Sequence, residues 1–285
     1  GDNTKGDIVS QYINPYVDGN LELIIATHPD ADHIGGLDTV LKNYKVEKVI
    51  DSGYTADTKT YSEYIDAVKQ EECIFEYDVD TNITLADNVS FNILETGDQW
   101  ANSNDMSVVS ILSYGNTDVL FTGDISQNVE YTLLNRLNNI DILKVGHHGS
   151  KTSSSDLFLS IIKPDYAVVS AGENNRYGHP ASETLDRLNY YGTRVLGTHT
   201  SGNIVLNVNL SSFGFNKSNF IKSNTFENKS ENGVELQYVG NKNSLIFHSY
   251  TCSSVKNMKD ENRVTFYVRE DAINGGYIPC KKCNP

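Results

Sequence analysis

Apolar residues fall along this chain in short runs bounded by turn-forming residues. The runs at 21–26, 45–50, 74–79, 89–94, 108–113, 118–122, 141–145, 166–170, 194–196 and 204–208 predict β-strands. Between them, apolar positions recur at helical spacing and predict helices over 36–43, 59–71, 127–135, 154–162 and 182–191. Strands alternating with helices predict a layered α/β body. The periodicity stops at 210–233, a Ser/Asn-rich stretch that reads as linker. The expected organisation is a body over 1–209, a linker over 210–240 and a small module over 241–285.

Length and charge narrow the picture. At 285 residues the chain can bury a sizeable core in one large or two smaller domains. No apolar run is long enough to span a bilayer. The formal charge is −14, yet residues 241–285 hold seven Lys/Arg against four Asp/Glu. An acidic body disfavours non-specific nucleic-acid binding. Part of that acidity, however, lies in carboxylates with another use.

That use is indicated by three strand ends. The run 21–26 leads into His28-Pro29-Asp30-Ala31-Asp32-His33, four metal-capable side chains in six residues. The run 118–122 leads into Gly123-Asp124, and the run 141–145 into Gly146-His147-His148-Gly149-Ser150. Imidazoles and carboxylates gathered at strand ends suit borderline divalent cations such as Zn²⁺ or Mn²⁺. Such ends are where α/β folds build their sites. A further loop, Asn174-Asn175-Arg176-Tyr177-Gly178-His179-Pro180, carries groups suited to a phosphate oxygen. His199 reads as a surface residue on a turn, and Cys73 as an inert core thiol.

The order of these motifs resembles the metallo-β-lactamase superfamily over about residues 1–209. The branch most like it holds the hydrolase domain of ComEC-type DNA-uptake proteins and the bacterial phosphorylcholine esterases. The resemblance implies an αββα sandwich with a two-metal site at one edge. By the same resemblance His28 and Asp30 would hold one metal and Asp32 and His33 the second. Asp124 would bridge them, His147 would complete the second site, and His148 and His179 would face the substrate. Asp30 stands where the family has a second His. The family's middle ligand falls within 102–107, which contains no His, and Asp105 takes that place. Relatives begin with a two-strand hairpin that this sequence lacks, so an exposed sheet edge and a partly open core are expected. Location is left open between cytoplasmic and exported, and oligomeric state is not legible.

The tail has its own pattern. His248-x3-Cys252 and Cys280-x2-Cys283 are two short-spaced pairs divided by a longer stretch, the layout of a closed tetrahedral zinc site. About 45 residues is too little for a stable core by burial alone, which motivates a metal staple. A disulfide between two of the three cysteines is the alternative. The stretch 269–280 resembles the metal-binding module of the Ada DNA-repair protein, a family with four Cys, where His248 replaces the first. The module is expected to be a small zinc-ribbon-like α+β unit.

The function expected from these motifs is metal-dependent hydrolysis. Two divalent ions would activate a water for attack on phosphorus or a carbonyl carbon, with no Ser or Cys nucleophile. Asp32 would orient that water, and His148 or His179 would bind an oxygen or protonate the leaving group. The branch resembled implies a phosphodiester substrate, DNA or a nucleotide among the candidates. A degenerate metal-binding scaffold without activity is the competing reading.

Overall fold

The computed structural model describes residues 2–77, 80–97, 99–221, 238–249, 252–266, 269–283 and 285. The chain divides into two compact units, Gly1–Asn116 with Leu120–Ile125, and Thr117–Val119 with Ser126–Pro285.

In the first unit, α1 (Gly6–Ile13) precedes β1 (Leu21–Ala26), α2 (Ala31–Ile34), α3 (Leu37–Asn43), β2 (Val46–Asp51), α4 (Lys59–Glu71) and β3 (Ile74–Tyr77). The three strands form a parallel sheet in the order β1-β2-β3, with Ile24 opposite Val49 and Val49 opposite Phe75. Val79, at the end of the run that predicts β3, lies outside the described residues. One face of this sheet packs on α3 and α4 through Ile24, Val40, Leu41, Val49, Tyr64 and Val68. The limits of α4 have clear local causes. Thr58 accepts a hydrogen bond from the Tyr61 amide, and Glu72 closes the helix in the left-handed conformation.

The unit continues with β4 (Thr81–Ala86), β5 (Val89–Leu94) and β6 (Val109–Tyr114), an antiparallel meander. Its apolar face meets the other face of the parallel sheet through Ile50, Ile93 and Val108, with Leu23, Ile25 and Ile83 at the margin. Helices, sheet and second sheet thus stack as layers within this unit. Among the described residues β1 pairs with β2 alone. Beside it Leu23 and Ile25, with Leu85, Phe91 and Phe121, line a cleft of about 350 Å³.

Three elements here are not among those predicted from sequence: the one-turn α2, the strand β4 and the helix α1. The strand β4 alternates half-buried and exposed residues in a plain period of two. The helix α1 inverts the usual amphipathic logic. Its small residues Gly6 and Ser10 are buried, while Ile8, Val9 and Tyr12 are exposed. A Cβ on Gly6 would sit 2.5 Å from Thr39 Cβ and 2.9 Å from the Gly36 carbonyl, so glycine is what lets α1 lie against the start of α3.

The strand β7 (Thr117–Phe121) contributes to both units. The second unit continues with α5 (Gln127–Leu133), β8 (Ile142–Lys144), α6 (Asp156–Ile162), β9 (Tyr166–Val169), α7 (Ser182–Tyr190) and β10 (Arg194–Gly197). Strands β8, β9 and β10 are parallel neighbours. His199 lies in the one-turn helix α8 (Thr198–Ser201), half-buried, not on the turn that the sequence predicts. The stretch read as linker opens with structure: β11 (Leu206–Val208) pairs with β12 (Phe213–Phe215), and Ile221 bridges to Val195. Residues 222–237 of that stretch lie outside the described residues.

The tail folds as β13 (Tyr238–Asn241), β14 (Ile246–Ser249), α9 (Ser253–Lys256), β15 (Arg263–Phe266), α10 (Arg269–Asn274) and β16 (Ile278–Pro279), in the sheet order β15-β13-β14-β16. Phe247, Val264, Phe266, Ala272 and Tyr277 pack with Leu157 and Ile161 of α6 in one apolar cluster. The tail therefore completes its core on the helix of the second unit.

Candidate metal centre and histidine cluster

The sharpest feature of the first unit is a neutral, oriented imidazole. His28 follows β1 and is 1% exposed. Ser107 Oγ donates its hydrogen to the Asn104 carbonyl at 2.6 Å. A hydroxyl has one hydrogen, so its other contacts must be accepted ones. Those contacts are the Asp124 amide at 3.0 Å and His28 Nδ1 at 3.1 Å. His28 is accordingly protonated at Nδ1 and carries its lone pair on Nε2. Burial first, and the neighbouring His33 second, push its pKa down to about 4, so it is neutral near pH 7. His28 Nε2 is buried without a hydrogen-bond partner.

Around that lone pair the unit gathers further ligands. His33, at the end of α2, has its ring centre 4.0 Å from that of His28. His33 Nε2 lies 3.3 Å from Asp124 Oδ2 and 3.6 Å from Asp32 Oδ2. Asp30 Oδ2 stands 3.9 Å from His28 Nε2, while its Oδ1 accepts from Ser103 Oγ at 2.9 Å. One ligand atom each from His28, His33 and Asp124 fall within 4.8 Å of one another. Two hydroxyls hold the rings: Ser107, and Thr27, whose Oγ1 is 3.3 Å from Nδ1 of both His28 and His33. Gly123 makes the Asp124 approach feasible. Its φ is +50°, and a Cβ there would lie 2.5 Å from Ser107 Cβ. Asp105 is buried but turned to Asn102, accepting from its Nδ2 at 2.9 Å, and is not in the converging group.

Neither Ser107 nor Thr27 was marked by the sequence. Thr27 stands beside the first motif, and Ser107 lies in the 102–107 stretch, where the resemblance points to Asp105. A donor set of neutral imidazole and carboxylates, with the second ring nitrogen hydrogen-bonded behind it, fits a borderline divalent cation.

The second unit holds its own histidines. His147 (φ 45°) and His148 (φ 54°) both adopt the left-handed region, uncommon for residues with a Cβ and typical of functional turns. His148 Nδ1 donates to the Ser170 carbonyl at 2.7 Å, which places the lone pair of the neutral ring on Nε2. The His179 ring lies 5.8 Å from that of His147. Their loops are joined: the Ala181 amide donates to the Gly149 carbonyl at 2.8 Å, and a Cβ on Gly149 would meet Pro180 at 2.6 Å. Behind them, Arg187 donates to the carbonyls of Lys151, Ser153 and Ser154, and the buried Glu130 accepts from the amides of Ser154 and Ser155.

Comparison with known proteins gives the family. The model of the metallo-beta-lactamase superfamily matches residues 18–173. The chain belongs to that superfamily. It thus carries a metal-dependent hydrolase fold, in which divalent ions, commonly zinc, are bound. It resembles the ComEC type in particular. ComE operon protein 3 of Bacillus subtilis (strain 168) is 35% identical over 189 residues, 65% of this chain and 24% of that protein. Recombination protein 2 of Haemophilus influenzae is 33% identical over 206 residues, 71% and 24% respectively. Competence protein ComA of Neisseria gonorrhoeae is 30% identical over 186 residues, 64% and 24%. The chain spans about a quarter of the length of these curated relatives.

The tail brings together the four residues that the sequence singled out. One ligand atom each from His248, Cys252, Cys280 and Cys283 lie within 4.8 Å of one another. All four cysteines are free thiols. Hydrogen bonding from the Ser254 backbone leads the effects that pull the Cys252 thiol down to about 6. His248 is buried, and its Nδ1 has no hydrogen-bond partner. A thiol biased toward thiolate beside an unbonded imidazole nitrogen fits zinc better than it fits a dry core.

Proposed function

We propose that this superfamily member is a phosphodiesterase, acting on DNA or a nucleotide diester with two divalent ions. The observation that carries the reading is the buried His28 Nε2 lone pair, fixed by Ser107 and facing His33 and Asp124. A nitrogen kept neutral and left without a hydrogen bond is costly unless a cation takes it. Bound divalent ions would supply Lewis acidity and a nucleophilic hydroxide at neutral pH.

In this reading His28 and Asp30 hold one ion, Asp32 and His33 the other, and Asp124 both. Asp32 also orients the attacking water. Asp105 is kept as the family's middle ligand on sequence position alone. His147, His148 and His179 are assigned by the order of the motifs: His147 as a ligand, His148 and His179 toward the substrate. His148 keeps its Nδ1 proton on the Ser170 carbonyl, so its Nε2 is the atom that takes up or returns a proton. The names of two relatives, a recombination protein and a competence protein, favour a nucleic-acid substrate. The tail set, His248, Cys252, Cys280 and Cys283, holds one structural zinc.

The test joins metal analysis to turnover. Reconstituted protein should hold two divalent ions in addition to the tail zinc, and should cleave bis-p-nitrophenyl phosphate with Zn²⁺ or Mn²⁺. Asp124→Ala should abolish cleavage. Equal turnover by wild type and Asp124→Ala would reject the chemistry. Full metal loading without turnover of any phosphodiester would leave a metal-binding scaffold.

A further inference from the structure

The loop at 172–180 holds an array of three side chains of which the proposed hydrolysis uses His179 alone. Arg176, Tyr177 and Gly178 are exposed, and Tyr177 is 67% exposed. The Arg176 guanidinium lies 4.8 Å from the centre of the Tyr177 ring and donates to its Oη at 2.6 Å. The Tyr177 ring in turn runs nearly parallel to that of His179, at 19° and 6.0 Å between centres. The sequence reading marks Arg176, Tyr177 and His179 as suited to a phosphate oxygen, and here Arg176 and Tyr177 are also in contact with each other.

The array is held firmly for a surface loop. Asn175 Oδ1 accepts from the amides of Tyr177 and His179 at 3.2 and 3.0 Å, and its Nδ2 donates to the carbonyls of Gly172 and His179. Gly178, at φ +69°, turns the chain between the two rings. A large ring presented rigidly to water, parallel to the ring of His179, has already lost the conformational freedom that binding would otherwise cost.

We propose that Tyr177, flanked by Arg176 and His179, is a stacking platform for one nucleobase of the substrate. This rests on the phosphodiesterase reading for the nature of the ligand, but its test does not need turnover. Every base has a π-face, so a lone platform selects nucleotides over other phosphate esters without selecting a sequence. On a chain of net charge −14, affinity from stacking also avoids dependence on a basic surface.

The experiment compares two ligands on the full chain: thymidine 5′-monophosphate and 2-deoxyribose 5-phosphate, titrated by calorimetry and NMR. The phosphate is common to both, so its contribution cancels and the ratio isolates the base. Wild type should prefer the nucleotide about tenfold. Tyr177→Phe should keep the preference, and Tyr177→Ala should bring it to about one with the fold unchanged by circular dichroism. The preference should persist when salt is raised. Equal affinity of wild type for both ligands, binding of neither, or a preference that survives in Tyr177→Ala overturns the platform. Asp124→Ala separates the two claims, because it should lose turnover and keep the base preference.

Discussion

Replacing Ser107 with alanine tests whether a hydroxyl orients the imidazole proposed to bind metal. The substitution removes the acceptor of two buried donors, the Asp124 amide at 3.0 Å and His28 Nδ1–H at 3.1 Å. Leaving one buried donor unsatisfied costs about 1–3 kcal/mol. His28 keeps a second oxygen within reach, Thr27 Oγ1 at 3.3 Å, so its share falls at the low end. The Asp124 amide loses the acceptor it holds in a turn where Gly123 sits at φ +50°. A loss of about 2–3 kcal/mol in the metal-free protein follows. The effect on metal is separate. Without Ser107 the imidazole can exchange its Nδ1 proton for one on Nε2, which removes the ligand lone pair. Loss of such an outer hydrogen bond weakens metal binding by about 10–100-fold. Denaturant titration gives the first quantity and chelator competition for Zn²⁺ the second, while ¹⁵N NMR of the His28 ring reports the tautomer. Unchanged zinc affinity together with an unchanged Nδ1–H tautomer would refute the assignment, whatever the stability.

Two further outcomes follow from groups elsewhere in the chain. In Cys280→Ser, or after chelation, zinc should be lost from the tail and amide protection should fall across β13–β16. It should fall on α6 too, because Leu157 and Ile161 share the tail's apolar cluster, while β1–β3 keep theirs. Asp51 is buried against Tyr64 Oη at 3.0 Å, and burial raises its carboxyl pKa. Its contribution is then complete below the unfolded value of about 3.9 and is lost as pH rises through the raised native value. The stability gap between wild type and Asp51→Asn should therefore be largest in acid and narrow toward neutral pH. A gap that widens with pH in denaturant titrations contradicts this.

How far the sequence could be read depended on the range of the interaction. Helix α4 was legible to the residue because its start and stop are local: the Thr58 cap and the left-handed Glu72. The gathering of His28, His33 and Asp124 after β1 and β7 was legible because these are the side chains that metals demand. Ser107 was not, since a serine in a polar loop gains its role only from His28, 79 positions away. The helix α1 was hidden for a related reason. Its buried face is made of Gly6 and Ser10, chosen for thinness against α3, and periodicity of apolar residues cannot report closeness of backbones. The grouping of the tail's His248, Cys252, Cys280 and Cys283 was legible from spacing. That its apolar residues would find their partners on α6 was not, because that contact joins segments about ninety residues apart, such as Leu157 and Phe247.

Among the described residues β1 is paired on one side, and that edge bears on how this molecule behaves in concentrated solution. A strand with one neighbour presents a row of amides and carbonyls to any other chain. Here that row runs beside an apolar cleft, and Glu22 is the only charged side chain on the strand. Two copies meeting edge to edge must bring these glutamates, and two bodies of net charge −14, toward each other. Mutual repulsion is thus the main guard of this edge, and it acts only over the Debye length, about 10 Å at 0.1 M salt and about 3 Å at 1 M. Added salt strips the guard without touching the fold, so the protein is better dispersed in dilute buffer than in brine.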